Sequence, residues 1–180
     1  MAIPKVQFPG GSKATVTSYS NGGNQGTTVG NEAWQCSALI VRYANQLGIT
    51  GLLSDYSNVL SGKAVAKQLA SVSNGKFVYL PNGSAVAPEV GAVISIGGFT
   101  TPDAKGNTDP AGHVGIVQSV QQNPNGSLTL TLFDQNWPGG AHWSQVTLTK
   151  QGSSYSGTMK DSNAPGGVLT VVGWANPASL

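Results

Sequence analysis

Apolar residues recur at helical spacing in the first half of the chain and at strand spacing in the second. A Gly- and Asn-rich run ending at Gly30-Asn31 leads into Trp34-Gln35-Cys36. Ala38, Leu39, Val41, Tyr43, Ala44 and Leu47 then form an apolar stripe that Gly48 stops, which predicts a helix from Cys36 to about Leu47. Gly51–Leu60 is a connector. A second, shorter helix is predicted over Gly62–Val72, with Ala64, Val65, Ala66, Leu69 and Ala70 as its stripe and Ser73-Asn74-Gly75 as its stop. Ahead of both, Gly10-Gly11 and Gly22-Gly23 break the chain. Residues 1–30 read as an arm or ordered loop with a short strand around Lys13–Ser18.

After Gly75 the period becomes that of strands. Phe77–Leu80 and Ala92–Ile96 are short strands, separated by the turns Pro81-Asn82-Gly83 and Pro88-Glu89-Val90-Gly91. Gly97–Gly112 lacks any period and is predicted as a long loop, a kind that in compact domains usually serves function. His113–Val120 is a strand, turned at Asn123–Gly126. Leu128–Gln135 then alternates Leu128, Leu130 and Leu132 against Thr129, Thr131 and Phe133, as a half-buried strand does. Trp137–Gly140 turns into Trp143–Thr149, and Val168–Val172 with Trp174 closes the chain. Helices first and an antiparallel meander afterwards predict an α+β fold, with N-terminal helices packed on an antiparallel sheet. No repeat and no internal boundary divides residues 31–180, which read as a single domain.

Composition narrows the function. Only 9% of the residues are charged and the net charge is +2, so no basic face is offered to nucleic acid. No apolar run approaches the roughly 18–20 residues of a membrane span. Met1–Lys5 opens no signal peptide, since no apolar segment follows. Scarce charge with abundant Gly, Ser, Thr and Asn describes a weakly charged polar surface suited to work outside the cell.

Chemistry centres on Cys36, the only cysteine. A lone cysteine is most often a buried structural residue. At a helix start, however, free N–H groups and the dipole favour the thiolate, the nucleophilic form. A cysteine nucleophile needs a base and the base an orienting group, and the inventory is two histidines and seven carboxylates. His113 opens a strand right after the long loop, behind Gly112, which permits an unusual turn. For His142, a two- or four-residue turn at Trp137–Gly140 would face it away from Asp134 and Asn136, placing it at the surface or the cleft rim. Glu32 and Asp55 lie too near the helix start or in a connector, and Glu89, Asp103, Asp109 and Asp161 in turns or loops. Asp134 alone ends an alternating strand, with Asn136 two residues on and on the same face.

In this order, Trp34-Gln35-Cys36, Pro88-Glu89-Val90-Gly91-Ala92-Val93, Gly112-His113-Val114-Gly115-Ile116-Val117 and Asp134-Gln135-Asn136-Trp137 resemble the CHAP family of cysteine- and histidine-dependent amidohydrolases and peptidases. The resemblance runs from about Trp34 to Trp143. It implies a papain-like fold whose sheet is an antiparallel half-barrel, with Cys36 as nucleophile and His113 as general base. Asp134, where the family commonly has Glu, or Asn136 would orient the imidazole. Gln35 and Asn136 with the Cys36 N–H would surround the oxyanion. Trp34, Trp137 and Trp143 are candidate platforms for substrate, although Trp34 and neighbouring Tyr43 also read as ordinary core. Some members carry an acidic calcium loop before the cysteine; here Glu32 is the only acid ahead of Cys36, so neither a metal nor another cofactor is expected.

The resemblance further implies a monomer that is secreted or associated with the cell wall. Its substrate would be bacterial peptidoglycan, cut between muramic acid and L-alanine or within the stem or cross-bridge peptide. Two other readings compete: an amidase on a small conjugate such as glutathionylspermidine, and a cell-wall-binding module without catalysis. The first would want an acidic pocket that seven dispersed carboxylates do not offer, and the second has no use for Cys36, His113 and Asp134 together.

Overall fold

The computed structural model describes residues 5–7, 15–17, 36–52, 61–99, 109–135, 143–161 and 164–178. Among them are two helices, α1 (Cys36–Gln46) and α2 (Gly62–Val72). The strands are β1 (Lys5–Gln7), β2 (Thr15–Thr17), β3 (Phe77–Pro81), β4 (Val93–Ile96), β5 (His113–Gln122), β6 (Leu128–Phe133), β7 (Trp143–Gln151), β8 (Ser154–Lys160) and β9 (Val168–Pro177). β1 and β2 form a small antiparallel pair, the second of them at the position expected near Lys13–Ser18.

The other seven strands form one antiparallel sheet that closes on itself. From β4 it runs through β5, β6, β7 and β8 in chain order, and β9 bonds to both ends. Val168–Thr170 of β9 pair with β8, Val171–Ala175 with β4 and Gly173–Pro177 with β3, which hangs outside the ring. The result is a closed six-stranded barrel.

This corrects the expected fold class. The described residues are mostly strand, with two short helices, and are not an α+β, papain-like arrangement of N-terminal helices on an open sheet or half-barrel. The difference lies in the last third of the chain. β8, of sequence Ser-Tyr-Ser-Gly-Thr-Met-Lys, carries too little apolar alternation to be read as a strand. Without it, Val168–Thr170 of β9 have no strand to bond to and the ring stays open.

Two cores follow from the closure. Inside the barrel, Ile94, Ile96, Leu130, Leu132, Val146, Leu148 and Trp174 are fully buried. Outside it, α1 and α2 cover part of the wall, packing Leu39, Ile40, Val65 and Leu69 against Val93, Val114, Ile116 and Phe133. An eleven-residue helix is shorter than the roughly 12–15 residues that an isolated helix needs. The position of α1, and of the cysteine at its head, therefore comes from this burial, with each large apolar side chain contributing roughly 1.5–3 kcal/mol. Tyr43, buried in the same layer, donates its hydroxyl to the Gly91 carbonyl at 3.0 Å, and burial raises its pKa. It belongs to the core.

Candidate functional site

Three elements bring Cys36, His113 and Asp134 together. Cys36 is the first residue of α1, His113 the first of β5, and Asp134 follows directly on the end of β6. All three are buried, Cys36 at 8% exposure, His113 at 2% and Asp134 at 0%. The His113 Nε2 lies 2.9 Å from Asp134 Oδ2. The Cys36 side chain neighbours the ring as well, near enough to raise its pKa. With Nε2 committed to Asp134, Nδ1 is the nitrogen left for sulfur.

Electrostatics follow from these contacts. Burial by itself would lower the His113 pKa. Hydrogen bonds to Asp134 and to Cys36, together with the negative charge each can carry, outweigh it and raise the value from 6.5 to about 9. The imidazolium is thus favoured at neutral pH, between two acidic partners.

The backbone that delivers His113 is closely built. Asp109 Oδ1 accepts the N–H groups of Ala111 at 3.1 Å and Gly112 at 3.2 Å. Gly112 has φ +69°, as its place before His113 suggests, and a Cβ there would meet the Ile96 carbonyl oxygen at 2.2 Å. Ser61, ahead of α2, gives its hydroxyl to the Ala111 carbonyl at 2.9 Å, and the Lys63 N–H reaches the same oxygen at 3.1 Å. The Ser95 hydroxyl bridges the Gly62 carbonyl (2.7 Å) and the Ala66 N–H (2.9 Å), tying the first turn of α2 to β4.

Two contacts at the site had no signal in the sequence. Arg42 Nη2, on the helix that Cys36 opens, donates to Gln135 Oε1 at 2.6 Å, joining α1 to the segment after Asp134. Ser144, on β7, donates its hydroxyl to Asp134 Oδ2. The second depends on register. β6 and β7 pair Leu132 with Ser144 and Phe133 with Trp143, so an odd number of residues, 134–142, connects them. Neither even-length turn considered from the sequence matches, and a one-residue difference in loop length exchanges the faces of the strand. Spacing that fixed this parity would have revealed Ser144.

Of the candidate platforms, Trp143 is 44% exposed and its ring packs on Phe133 at a centroid distance of 5.0 Å, close to Asp134 in the chain. Trp34, Gln35, Asn136, Trp137 and His142 lie outside the described residues, as do residues 100–108 of the long loop.

A buried imidazole between a thiol at a helix start and a carboxylate is the constellation that nucleophilic amide hydrolases use. The chain belongs to the CHAP family: the model of the CHAP domain matches residues 26–136, which span all three side chains. That family is generally hydrolytic, comprising cysteine- and histidine-dependent amidohydrolases and peptidases that often act on peptidoglycan and are commonly secreted or cell-wall enzymes. No curated protein compared with the chain matches it. Among the described residues, no helix is long and apolar enough to cross a membrane.

Proposed function

We propose that the chain is a cysteine amide hydrolase of bacterial peptidoglycan, acting as an N-acetylmuramoyl-L-alanine amidase or as an endopeptidase of the stem or cross-bridge peptide. The observation that carries this reading is the His113 ring, buried, hydrogen-bonded to Asp134 and neighboured by the Cys36 side chain. In this reading Cys36 attacks as thiolate on the amide carbonyl. The oxyanion is held by the Cys36 N–H and by the amides of Gln35 and Asn136, where one donor is typically worth about 10²–10³ in rate. The His113 imidazolium then protonates the leaving amine, and the C–N bond breaks to leave a thioester. A water molecule gives its proton to His113 and its oxygen to the carbonyl carbon, and the thiolate departs. Asp134 holds the ring so that Nδ1 faces sulfur throughout. Trp143, exposed and packed on Phe133, the residue before Asp134, is an aromatic available to a glycopeptide or peptide backbone.

Purified peptidoglycan, digested and examined by mass spectrometry, tests the substrate. A new N-terminal alanine identifies an amidase, a cut between amino acids identifies an endopeptidase, and no cleavage by the folded protein overturns the proposal. The pH profile tests the mechanism. The imidazolium that must protonate the leaving amine persists to about pH 9, so kcat/KM is expected to hold through neutrality and fall as pH rises through that value. Stability moves with the same sign. A histidine whose folded pKa, about 9, exceeds its unfolded 6.5 contributes fully below pH 6.5, and that contribution is lost between pH 6.5 and 9. A profile with its alkaline limb near pH 6.5 would contradict the pairing of His113 with its two neighbours.

A further inference from the structure

Along β7 exposure alternates, so that Ser144, Val146 and Leu148 are buried while Trp143, Gln145 and Thr147 face out. Val146 and Leu148 belong to the barrel interior, and Ser144 takes the next inward position toward the barrel end where Asp134 lies. An inward hydroxyl at that depth must find an acceptor. The one it finds is Asp134 Oδ2, the same oxygen that meets His113 Nε2. Opposite, on β5, Gly115 leaves the room: a Cβ there would stand 3.1 Å from both Asp134 Cβ and Leu132 Cβ. The carboxylate thus lies in a slot that Gly115 keeps open and Ser144 closes by hydrogen bonding. A short aspartate just past a strand end turns about two side-chain bonds, and a hydroxyl on the very oxygen that meets the imidazole restrains both.

We infer that Ser144 is a positioning residue, whose hydroxyl fixes the Asp134 carboxylate in the orientation that holds the His113 ring toward Cys36. This rests on the proposed roles of Cys36 and His113, and it adds Ser144 to the side chains on which the reaction depends. Ser144 does not touch substrate in this scheme; it acts through Asp134.

The comparison that isolates the hydroxyl is Ser144→Thr against Ser144→Val, two side chains of equal shape of which only threonine can donate; Ser144→Ala removes the group outright. Two readouts apply to each purified variant: turnover of peptidoglycan, and the titration midpoint of the His113 ring by NMR. The chain has only two histidines, so His142→Gln assigns the signals. The expected result is that Ser144→Val and Ser144→Ala lower kcat about 10- to 100-fold with little change in KM, and move the His113 midpoint from about 9 toward 6.5. Ser144→Thr should restore both. Should the alanine variant fail to fold, the Thr–Val difference decides alone. Equal kcat and equal midpoints for Thr and Val would overturn the inference and leave Ser144 a packing residue. A wild-type His113 that titrates near 6.5 and ignores Cys36→Ala would instead overturn the catalytic reading on which the inference rests.

Discussion

Replacing Cys36 by alanine is expected to abolish hydrolysis while leaving the fold in place. The chain has no other cysteine, and no second thiol can substitute for the one at the head of α1. Removing the nucleophile from such a constellation typically costs on the order of 10⁴–10⁶ in kcat. Structurally the exchange is mild. Alanine is the better helix former, and it deletes one small, nearly buried atom from a core that Leu39, Ile40 and Tyr43 hold together. The loss of stability should be about 1 kcal/mol, visible as a small shift of Tm, against a loss of rate that leaves no measurable product. The His113 midpoint should fall as well, since two of the influences that raise it come from Cys36. Residual activity of even a few per cent would mean that the sulfur does not attack.

The second large effect is expected from Gly62→Ala, at a residue that carries no reactive group of its own. Within a helix this exchange normally stabilises by about 0.5–1 kcal/mol. Here the added Cβ would stand 2.7 Å from the carbonyl carbon of His113, 2.8 Å from its Cα and 2.9 Å from its nitrogen. Those atoms are backbone and cannot rotate away, so either α2 lifts or the start of β5 moves. Overpacking of this kind costs about 1–3 kcal/mol, enough to reverse the helix-propensity gain. Displacing His113 by even about 1 Å from Cys36 is worth about 10² in rate. A lower Tm together with a kcat reduced about a hundredfold is the expected outcome, measured by thermal denaturation and by turnover of peptidoglycan. A more stable, fully active variant would show that the close approach of α2 to His113 does not matter.

How much of this was legible in the sequence depends on whether the information is local. α2 appears over Gly62–Val72, where its stripe and its Ser73-Asn74-Gly75 stop place it, and Asn74 and Gly75 do adopt positive φ. β5 begins at His113 as its pattern predicts, behind a left-handed Gly112. The convergence of Cys36, His113 and Asp134 could be reached because few residues of the right chemistry exist to choose from. The barrel could not be read. Its closure depends on β9 pairing with both β4 and β8, and the Ser-, Gly- and Lys-containing sequence of β8 leaves only Tyr155 and Met159 as large apolar residues. Ser144 was hidden for a related reason, because the face it occupies is set by the parity of the connection from β6 to β7. The bond from Arg42 to Gln135 spans 93 positions in sequence, and no local pattern announces it.

In the proposed mechanism His113 holds the Cys36 sulfur in its nucleophilic form. The rate of iodoacetamide alkylation of Cys36, in the wild-type chain and in His113→Ala, measures this without reference to any substrate. At neutral pH, alkylation is expected to be fast in the wild type and slow in the variant. Equal rates for the two would show that the imidazole does not activate the sulfur.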